Sequence, residues 1–212
     1  MLSGGIDSTY LAHLFLTDGA KIRGVHVNYG QASFIRERAA INALTDKIHL
    51  PVEFIEVPRL GESFSGAIDG RLVQQIIKPP LLAGIGISAF WAASIGYDAL
   101  ALGFHQDDSR LWVQNNTDFN GLVERLQESV AKARKNEDAF KILMPLSNLS
   151  KKEIVTAGLQ TGVAFEFTWS CLLGGAQPCG QCPGCLSRSE AFTAVGRPDP
   201  ASALLPPAHG AG

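Results

Sequence analysis

Cysteine is missing from the first 170 residues of this chain, and all four cysteines lie between Cys171 and Cys185. In a reducing compartment, a cluster this tight favours metal ligation over a framework of disulfides. The sequence therefore predicts one metal site near the C-terminal end.

The chain also lacks an uninterrupted apolar run of about 18 residues, the shortest that indicates a membrane span. Its longest apolar stretch, residues 81–95, is broken by Gly84, Gly86 and Ser88, so we predict a buried helix there. The N-terminus has neither the basic region nor the long apolar region of a signal peptide. These absences predict a cytoplasmic protein with no membrane partner.

The chain also lacks a large excess of positive or negative charge, because its formal net charge is −2 at pH 7. This balance argues against a broad basic surface for nucleic acid, although not against a local basic patch. Hydrophobic residues make up 46% of the 212 residues, enough to bury a full core. The length suits one large domain, or one domain with a small appendage.

What is present begins at the N-terminus, where residues 2–9 read LSGGIDST. Gly4 and Gly5 let the main chain approach an anion without an intervening Cβ. We predict a helix from Thr9 onward, whose free N–H groups form a phosphate site. Its apolar face carries Leu11, Leu14 and Phe15. Three loop hydroxyls are further donors to phosphate: those of Ser3, Ser8 and Thr9.

This loop differs from a Walker A motif, because Ile6 and Asp7 stand where that motif needs a lysine. Its order Ser-Gly-Gly-x-Asp-Ser resembles the pyrophosphate loop of the ATP pyrophosphatases, which split ATP between its α and β phosphates. The alternative is an ordinary glycine-rich turn capped by Ser or Asp. Only Met1 and Leu2 precede the loop. We therefore expect that the strand before the loop is missing from this sequence, is reduced to a stub, or is cut off by a start placed too late.

Helical and strand patterns alternate along the rest of the chain. Strands are predicted at residues 21–29, 51–57, 99–103 and 140–146, and helices at 34–47, 81–95, 119–135 and after Ser150. This order predicts an α/β fold with a parallel sheet and right-handed crossovers. Residues 58–80 carry a weak signal and are predicted to form a loop over the sheet edge, a common place for a substrate lid.

Two polar positions follow predicted strands, where ligands bind in open α/β sheets. Tyr29 either faces an adenine or packs on its neighbours in the loop. Asp107 and Asp108 follow the third strand and either contact Mg²⁺ or substrate, or are solvated. His105 beside them is more typical of a solvated loop residue.

Ser150 and Glu153 form a capping-box pattern that predicts a helix N-terminus. Lys151 and Lys152 then fall in the first turn, where a positive charge opposes the helix dipole. A phosphate neighbour would explain lysine at this position.

The four cysteines have the spacing Cys-x7-Cys-x2-Cys-x2-Cys, at Cys171, Cys179, Cys182 and Cys185. Thiolates two residues apart in tight turns share one tetrahedral Zn²⁺, and four thiolates leave no open position for catalysis. We therefore predict a structural zinc site. An iron–sulfur cluster is the alternative, and four unrelated cysteines are the remaining one.

The loop and the cysteines together resemble the 7-cyano-7-deazaguanine synthase family of queuosine biosynthesis. The matching residues span most of the chain: Ser3 to Thr9, Tyr29 to Gln31, Pro145 and Leu146, Lys151 and Glu153, Cys171 to Cys185, Arg188 and Phe192. The resemblance implies a doubly wound parallel sheet of the adenine nucleotide α-hydrolase type with a C-terminal zinc-binding segment.

The resemblance also implies an activity. ATP adenylates the carboxylate of 7-carboxy-7-deazaguanine, ammonia displaces AMP to give an amide, and a second ATP-dependent step gives the nitrile. It implies Mg²⁺, one zinc per subunit and a homodimer. Six residues would bind ATP pyrophosphate and Mg²⁺: Ser3, Gly4, Gly5, Asp7, Ser8 and Thr9. Lys151 would neutralise the leaving pyrophosphate, and Asp7 and Lys151 would be the catalytic pair.

Two segments depart from the family pattern. Residues 79–82 read PPLL where the family has Pro-Gly-Arg-Asn, and residues 109–116 replace a Gly-Tyr-Pro-Asp-Cys-Arg segment associated with holding the base. Three functions therefore stay open: a deazaguanine ligase, the same adenylation with a protein or tRNA acceptor as in antiviral relatives, and a zinc-bearing binding module with an inactive loop. The predicted division is a nucleotide-binding domain at 1–165, a zinc segment at 166–195 and a disordered tail at 196–212.

Overall fold

The computed structural model describes residues 1–57, 59–60, 79–108, 118–134 and 140–203. Helices and strands alternate in the order α1 (Ile6–Thr17), β1 (Gly24–Asn28), α2 (Phe34–Ile48), β2 (Val52–Glu56), α3 (Pro79–Ser94), β3 (Ala99–Ala101), α4 (Phe119–Ala133), β4 (Lys141–Leu143), α5 (Lys151–Gln160) and α6 (Pro183–Ala194). Two short 3₁₀ helices, Phe165–Phe167 and Pro200–Ala203, flank α6. The predicted α/β order is confirmed.

The described strands pair in two sheets of two strands, β1 with β2 and β3 with β4. β3 and β4 are parallel, with Leu100 opposite Ile142. β1 and β2 also run in the same direction, because the N–H of Gly24 donates to Pro51 at their start and the N–H of Val57 donates to Asn28 at their end. Parallel pairing is what the helix-containing crossovers require.

The chain divides into two compact units. The first contains residue 1 and residues 25–30 and 54–148, and the second contains residues 2–24, 31–53 and 149–212. This division comes from packing and differs from the sequence-based division at residues 165 and 195, which stays a prediction.

The first unit has a core in which α3 and α4 pack on β3 and β4. The small residues of α3 allow this close approach, since Ala89 and Ala92 are buried against the strands. At the N-terminus of α4, the Asp118 carboxylate accepts a hydrogen bond from the N–H of Gly121 at 2.9 Å. α3 begins at Pro79, two residues before the expected start at residue 81, because proline is favoured in the first turn of a helix.

The second unit packs α1 on α5 and α5 on α6. The predicted capping box at the start of α5 is confirmed: the N–H of Glu153 donates to Ser150 Oγ at 3.3 Å, and the N–H of Ser150 donates to Glu153 Oε2 at 2.7 Å. The hydroxyl and N–H of Ser150 hold the pKa of the Glu153 carboxyl below its ordinary value. α5 therefore begins where the sequence predicts it.

Several expectations fall on other parts of the chain. The lid expected at 58–80 lies almost wholly outside the described residues, as do the segment 109–116 with Trp112, the end of the helix expected at 119–135, and residues 204–212 of the tail. Within the described ranges, no helix is both long and apolar enough to span a membrane.

Candidate functional site

The glycine-rich loop runs directly into α1, which begins at Ile6 and not at Thr9. The expected start was wrong because Gly5 is the N-cap residue, with no capping bond from a side chain. The alternative of a turn capped by Ser or Asp therefore does not describe this helix start. Asp7, Ser8 and Thr9 lie in the first turn, where main-chain N–H groups and the positive end of the dipole attract an anion.

Gly4 occupies a position that only glycine fits. Its φ is +74°, and a Cβ there would lie 3.0 Å from the carbonyl oxygen of Glu37 and 3.2 Å from Cβ of Ala40. The loop is thereby packed closely against α2. Close main-chain approach is what a phosphate-binding loop needs.

The loop hydroxyls form a local network. Ser3 Oγ and Ser8 Oγ lie 3.0 Å apart, and Ser8 Oγ accepts from the N–H of Ser3 at 3.1 Å. Among the described residues, two buried oxygens beside them have no hydrogen-bond partner: Asp7 Oδ1 and Thr9 Oγ1. Buried polar atoms without partners are uncommon and call for an explanation such as a bound ion or ligand.

Lys151 reaches the loop from the first turn of α5. Its Nζ donates to Asp7 Oδ2, and the two side chains are 14% and 20% exposed. In the structure this lysine meets a carboxylate, and the contact brings together the two residues expected to be catalytic. A phosphate neighbour for Lys151 stays a prediction. Lys152 beside it is exposed.

The four cysteines form one cluster. Their Sγ atoms all lie within 4.8 Å of one another, and no other group of three or more potential metal ligands occurs in the described part of the chain. All four are free thiols, and Cys171, Cys182 and Cys185 are buried. The geometry fits one shared metal ion.

Main-chain N–H groups point at the sulfur atoms of this cluster. Cys179 Sγ accepts from Gln181 at 3.5 Å and from Cys182 at 3.3 Å, and these bonds lower the pKa of the Cys179 thiol to about 6. Burial has the opposite effect on Cys185 and raises the pKa of its thiol to about 12. A positive metal ion would stabilise both thiolates, so the donor set favours metal over four neutral thiols.

Two glycines shape the cluster in a way that the cysteine spacing does not reveal. A Cβ at Gly184 would lie 2.0 Å from the carbonyl oxygen of Ser170, and one at Gly174 would lie 1.8 Å from the carbonyl oxygen of Ala32. Each glycine therefore allows a close crossing of two main-chain segments. The two glycines are the feature of the sequence that could have indicated these close crossings; the cysteine spacing does not.

A buried arginine anchors α6 beside the cluster. The Arg188 guanidinium binds Asp199 through two hydrogen bonds, of 2.6 and 2.8 Å, and donates to Thr168 Oγ1 at 2.7 Å and to the carbonyl of Phe165 at 3.2 Å. A planar guanidinium suits this geometry, and the bonds satisfy its buried charge. Arg188 therefore has a structural role.

The remaining candidates lie in the first unit. Tyr29 is half-buried and follows β1. Asp108 Oδ2 accepts from the N–H of His105 at 2.9 Å, and His105 is buried rather than solvated as expected. Asp107 and Asp108 do not belong to a group of three metal ligands among the described residues. Adenine contact by Tyr29 and Mg²⁺ contact by Asp107 or Asp108 stay predictions.

Most of the chain matches a known family. The model of "Queuosine biosynthesis protein QueC" matches residues 1–75 and 82–196. A 7-cyano-7-deazaguanine synthase of a Nitratiruptor species is 31% identical over 211 residues, which cover 94% of each chain. A 7-cyano-7-deazaguanine synthase of Saccharolobus solfataricus is 28% identical over 93% of this chain and 45% of that protein.

A solved structure shares the fold. The U34-tRNA thiolase NcsA of Methanococcus maripaludis, with its [4Fe-4S] cluster, superposes with a TM-score of 0.51 over 92% of this chain and 63% of that chain. The sequence identity is 18%, so the likeness concerns the fold alone.

Proposed function

Because this chain belongs to the family of the queuosine biosynthesis protein QueC, we propose that it is an ATP-dependent ligase that adenylates a carboxylate and forms a carbon–nitrogen bond. We propose 7-carboxy-7-deazaguanine as the substrate: ammonia converts its adenylate to the amide, and a second ATP-dependent step dehydrates the amide to the nitrile. The products from ATP are AMP and pyrophosphate.

The observation that carries the proposal is the pair formed by Lys151 and Asp7. It joins the first turn of α5 to the first turn of α1 across 144 residues of sequence. A lysine that opposes the dipole of its own helix is held next to the loop by a carboxylate of the opposite charge. When the pyrophosphate enters, the same ammonium is within reach of a second anion.

The first step makes a poor leaving group into a good one. A carboxylate oxygen of the substrate attacks the α-phosphorus of ATP, the bond to the bridging oxygen breaks, and pyrophosphate departs. Ammonia then attacks the acyl carbon of the adenylate, loses a proton and expels AMP to leave the amide. The amide oxygen then attacks the α-phosphorus of a second ATP and a second pyrophosphate departs; loss of AMP and of the two amide protons gives the nitrile.

The loop would bind the pyrophosphate that leaves. The N–H groups at the start of α1 and the hydroxyls of Ser3, Ser8 and Thr9 donate to its oxygens, and Gly4 and Gly5 permit the approach. Lys151 neutralises the charge that grows on the leaving group in the transition state. We also propose that Tyr29 contacts the adenine of ATP.

Mg²⁺ fits this loop by the chemistry of its oxygens. Asp7 Oδ1 and Thr9 Oγ1 are buried without a partner among the described residues, and Mg²⁺ takes oxygen ligands together with substrate phosphates. We propose that Asp7 and Thr9 hold it. When bound, the ion supplies positive charge next to the phosphate oxygens.

Zn²⁺ fits the four-cysteine cluster, and we propose it as the resident metal. Four thiolates complete its tetrahedral shell, so the ion stabilises the fold and does not activate water. A [4Fe-4S] cluster is the alternative, and metal analysis with an absorption spectrum separates the two. We further propose that the protein is a homodimer, which light scattering tests as twice 22.6 kDa.

A second acceptor is favoured by one observation. Residues 109–116 read SRLWVQNN and lack the family's base-holding segment. The same adenylation would then join a deazaguanine or another carboxylate to a protein or tRNA, as in an antiviral system. A zinc-bearing binding module with an inactive loop is the third candidate.

One assay tests the proposal. Purified protein with Mg²⁺, ATP, ammonia and 7-carboxy-7-deazaguanine should release pyrophosphate and AMP, and mass spectrometry should find the amide and the nitrile. AMP formation without either product, on addition of a protein or tRNA acceptor, would favour the second candidate. If protein with its full metal content forms no AMP with any carboxylate, the third candidate, a zinc-bearing binding module, would be favoured.

A further inference from the structure

Trp169 is bonded to the loop on one side and to the cysteine cluster on the other. Its main-chain N–H donates to the carbonyl of Gly4 at 2.8 Å, and its indole Nε1 donates to the carbonyl of Cys171 at 2.7 Å. The indole is 6% exposed and packs with Cys171, Cys182 and Cys185. All of these residues lie in the second unit.

The bond to Gly4 fixes the direction of an anion-binding group. A trans peptide unit is planar, so its carbonyl and its N–H point to opposite sides. Because Trp169 holds the Gly4 carbonyl, the N–H of Gly5 must point away from Trp169. That N–H has only a long contact of 3.4 Å to Ser3 Oγ, so it remains available to an incoming phosphate. Glycine adopts a wider range of φ and ψ than other residues, so this bond helps to fix the direction of the Gly5 N–H.

The position of Trp169 depends in turn on the cysteine segment. Arg36 of α2 lies over the indole ring at 5.5 Å and donates to the carbonyl of Gly175 at 3.0 Å, so the segment closes over the ring. Loss of the metal removes the cross-link between the four sulfurs against which the indole packs. The indole ring would then pack against sulfur atoms whose positions are no longer fixed.

We propose that Trp169 is a positioning residue that couples metal occupancy of the cysteine cluster to pyrophosphate binding at the loop. This inference rests on the proposed function, because it takes the loop as the pyrophosphate site. Coupling between two binding sites is reciprocal: metal strengthens pyrophosphate binding, and pyrophosphate strengthens metal binding by the same factor. Coupling factors of this kind are roughly 5- to 150-fold.

The test measures both directions in the full-length protein. Magnesium pyrophosphate is titrated into zinc-loaded and zinc-depleted protein by calorimetry. Zinc affinity is measured by competition with a chromophoric chelator, with and without magnesium pyrophosphate. Buffer without protein is calibrated at each pyrophosphate concentration, because pyrophosphate itself binds zinc. We expect an equal factor of at least about fivefold in the two experiments.

Two variants assign the coupling to Trp169. Trp169→Phe keeps an aromatic ring and the main-chain N–H but removes the indole donor, so its coupling factor should fall while zinc content stays full. Trp91→Phe, in α3 of the first unit, is the control and should keep the parent factor. Hydrogen exchange of the parent gives a second readout that needs no variant: pyrophosphate should slow exchange of the Trp169 amide.

The outcomes separate the coupling from the proposed function. Tight pyrophosphate binding that is equal with and without zinc would overturn the coupling and leave the ligase proposal intact. If Trp169→Phe has the same coupling factor as the parent, Trp169 does not carry the coupling. The same conclusion would follow if pyrophosphate left the hydrogen exchange of the Trp169 amide unchanged. No binding of pyrophosphate to zinc-loaded protein would end both proposals.

Discussion

The loop of residues 2–9 and the cysteine segment of residues 171–185 belong to the same unit but are built differently. The cysteine segment brings its own four ligands, which lie within 15 residues and within 4.8 Å of one another. The loop takes its essential contacts from elsewhere: Lys151, Trp169 and the main chain of α2. A local site withstands changes elsewhere in the chain, whereas an assembled site depends on each distant segment.

The sharpest test of the local site removes one ligand. Cys182→Ala should give metal-free protein in lower soluble yield, because a tetrahedral structural site needs all four of its thiolates. Metal content by mass spectrometry and soluble yield are the measurements. Leu186→Ala, at an exposed position in α6, is the control. Full zinc occupancy in Cys182→Ala would show that the cluster is not the site.

The assembled site is tested at its most distant member. Lys151→Met should lower kcat/KM for pyrophosphate release by about 10²–10³, the usual loss for one donor to transition-state charge, with little change in melting temperature. Lys152→Met is the matched control, since Lys152 is the next residue and is exposed. Turnover in Lys151→Met equal to the parent would contradict its role.

Substitutions at two glycines separate the effect of the contact between the loop and α2 from the effect of backbone strain. Gly4 and Gly19 have φ of +74° and +73°, but only a Cβ at Gly4 meets neighbouring atoms. Both alanine variants carry a strain of about 1–2 kcal/mol, and Gly4→Ala should lose more stability in denaturant unfolding and should lose pyrophosphate binding. Equal effects of the two substitutions would show that the loop does not need its close packing.

The smallest expected effect concerns the capping box of α5. The Glu153 carboxyl has a folded pKa below its ordinary value of 4.5, so its stabilisation is present above pH 4.5 and is lost as pH falls through the folded pKa. Glu153→Gln keeps a capping-box acceptor at every pH and should flatten the acid side of the melting curve against pH. Glu190→Gln, an exposed glutamate in α6, should retain the parent's slope; a flattened slope there as well would show that Glu153 is not the cause.

The elements that sequence analysis predicted well are those with short-range causes. The capping box lies within four residues, the four cysteines lie within 15, and helix and strand periodicity reports on near neighbours. The start of α1 was wrong by three residues because Gly5 caps it without a side-chain bond. A cap made by main-chain conformation leaves no distinctive residue in the sequence.

The contacts that sequence analysis missed join residues far apart. Nothing in the spacing of Trp169 indicates that its N–H reaches Gly4, and Asp7 and Lys151 were expected near phosphate without being expected to pair. The sequence predicted the helix that contains Leu82, but it could not show that this helix belongs to the first unit. Pairing across a hundred residues depends on the path of the whole chain.

The sequence by itself determined the α/β class, the family, the cluster of four cysteines and the helix start at Ser150, because local hydrogen-bonding and spacing rules decide them. Only the tertiary structure decided which lysine meets which carboxylate and which residue orients the glycine pair. The physical reason is range: a capping bond closes within one helical turn, whereas Lys151, Trp169 and Gly4 meet only after the second unit has packed.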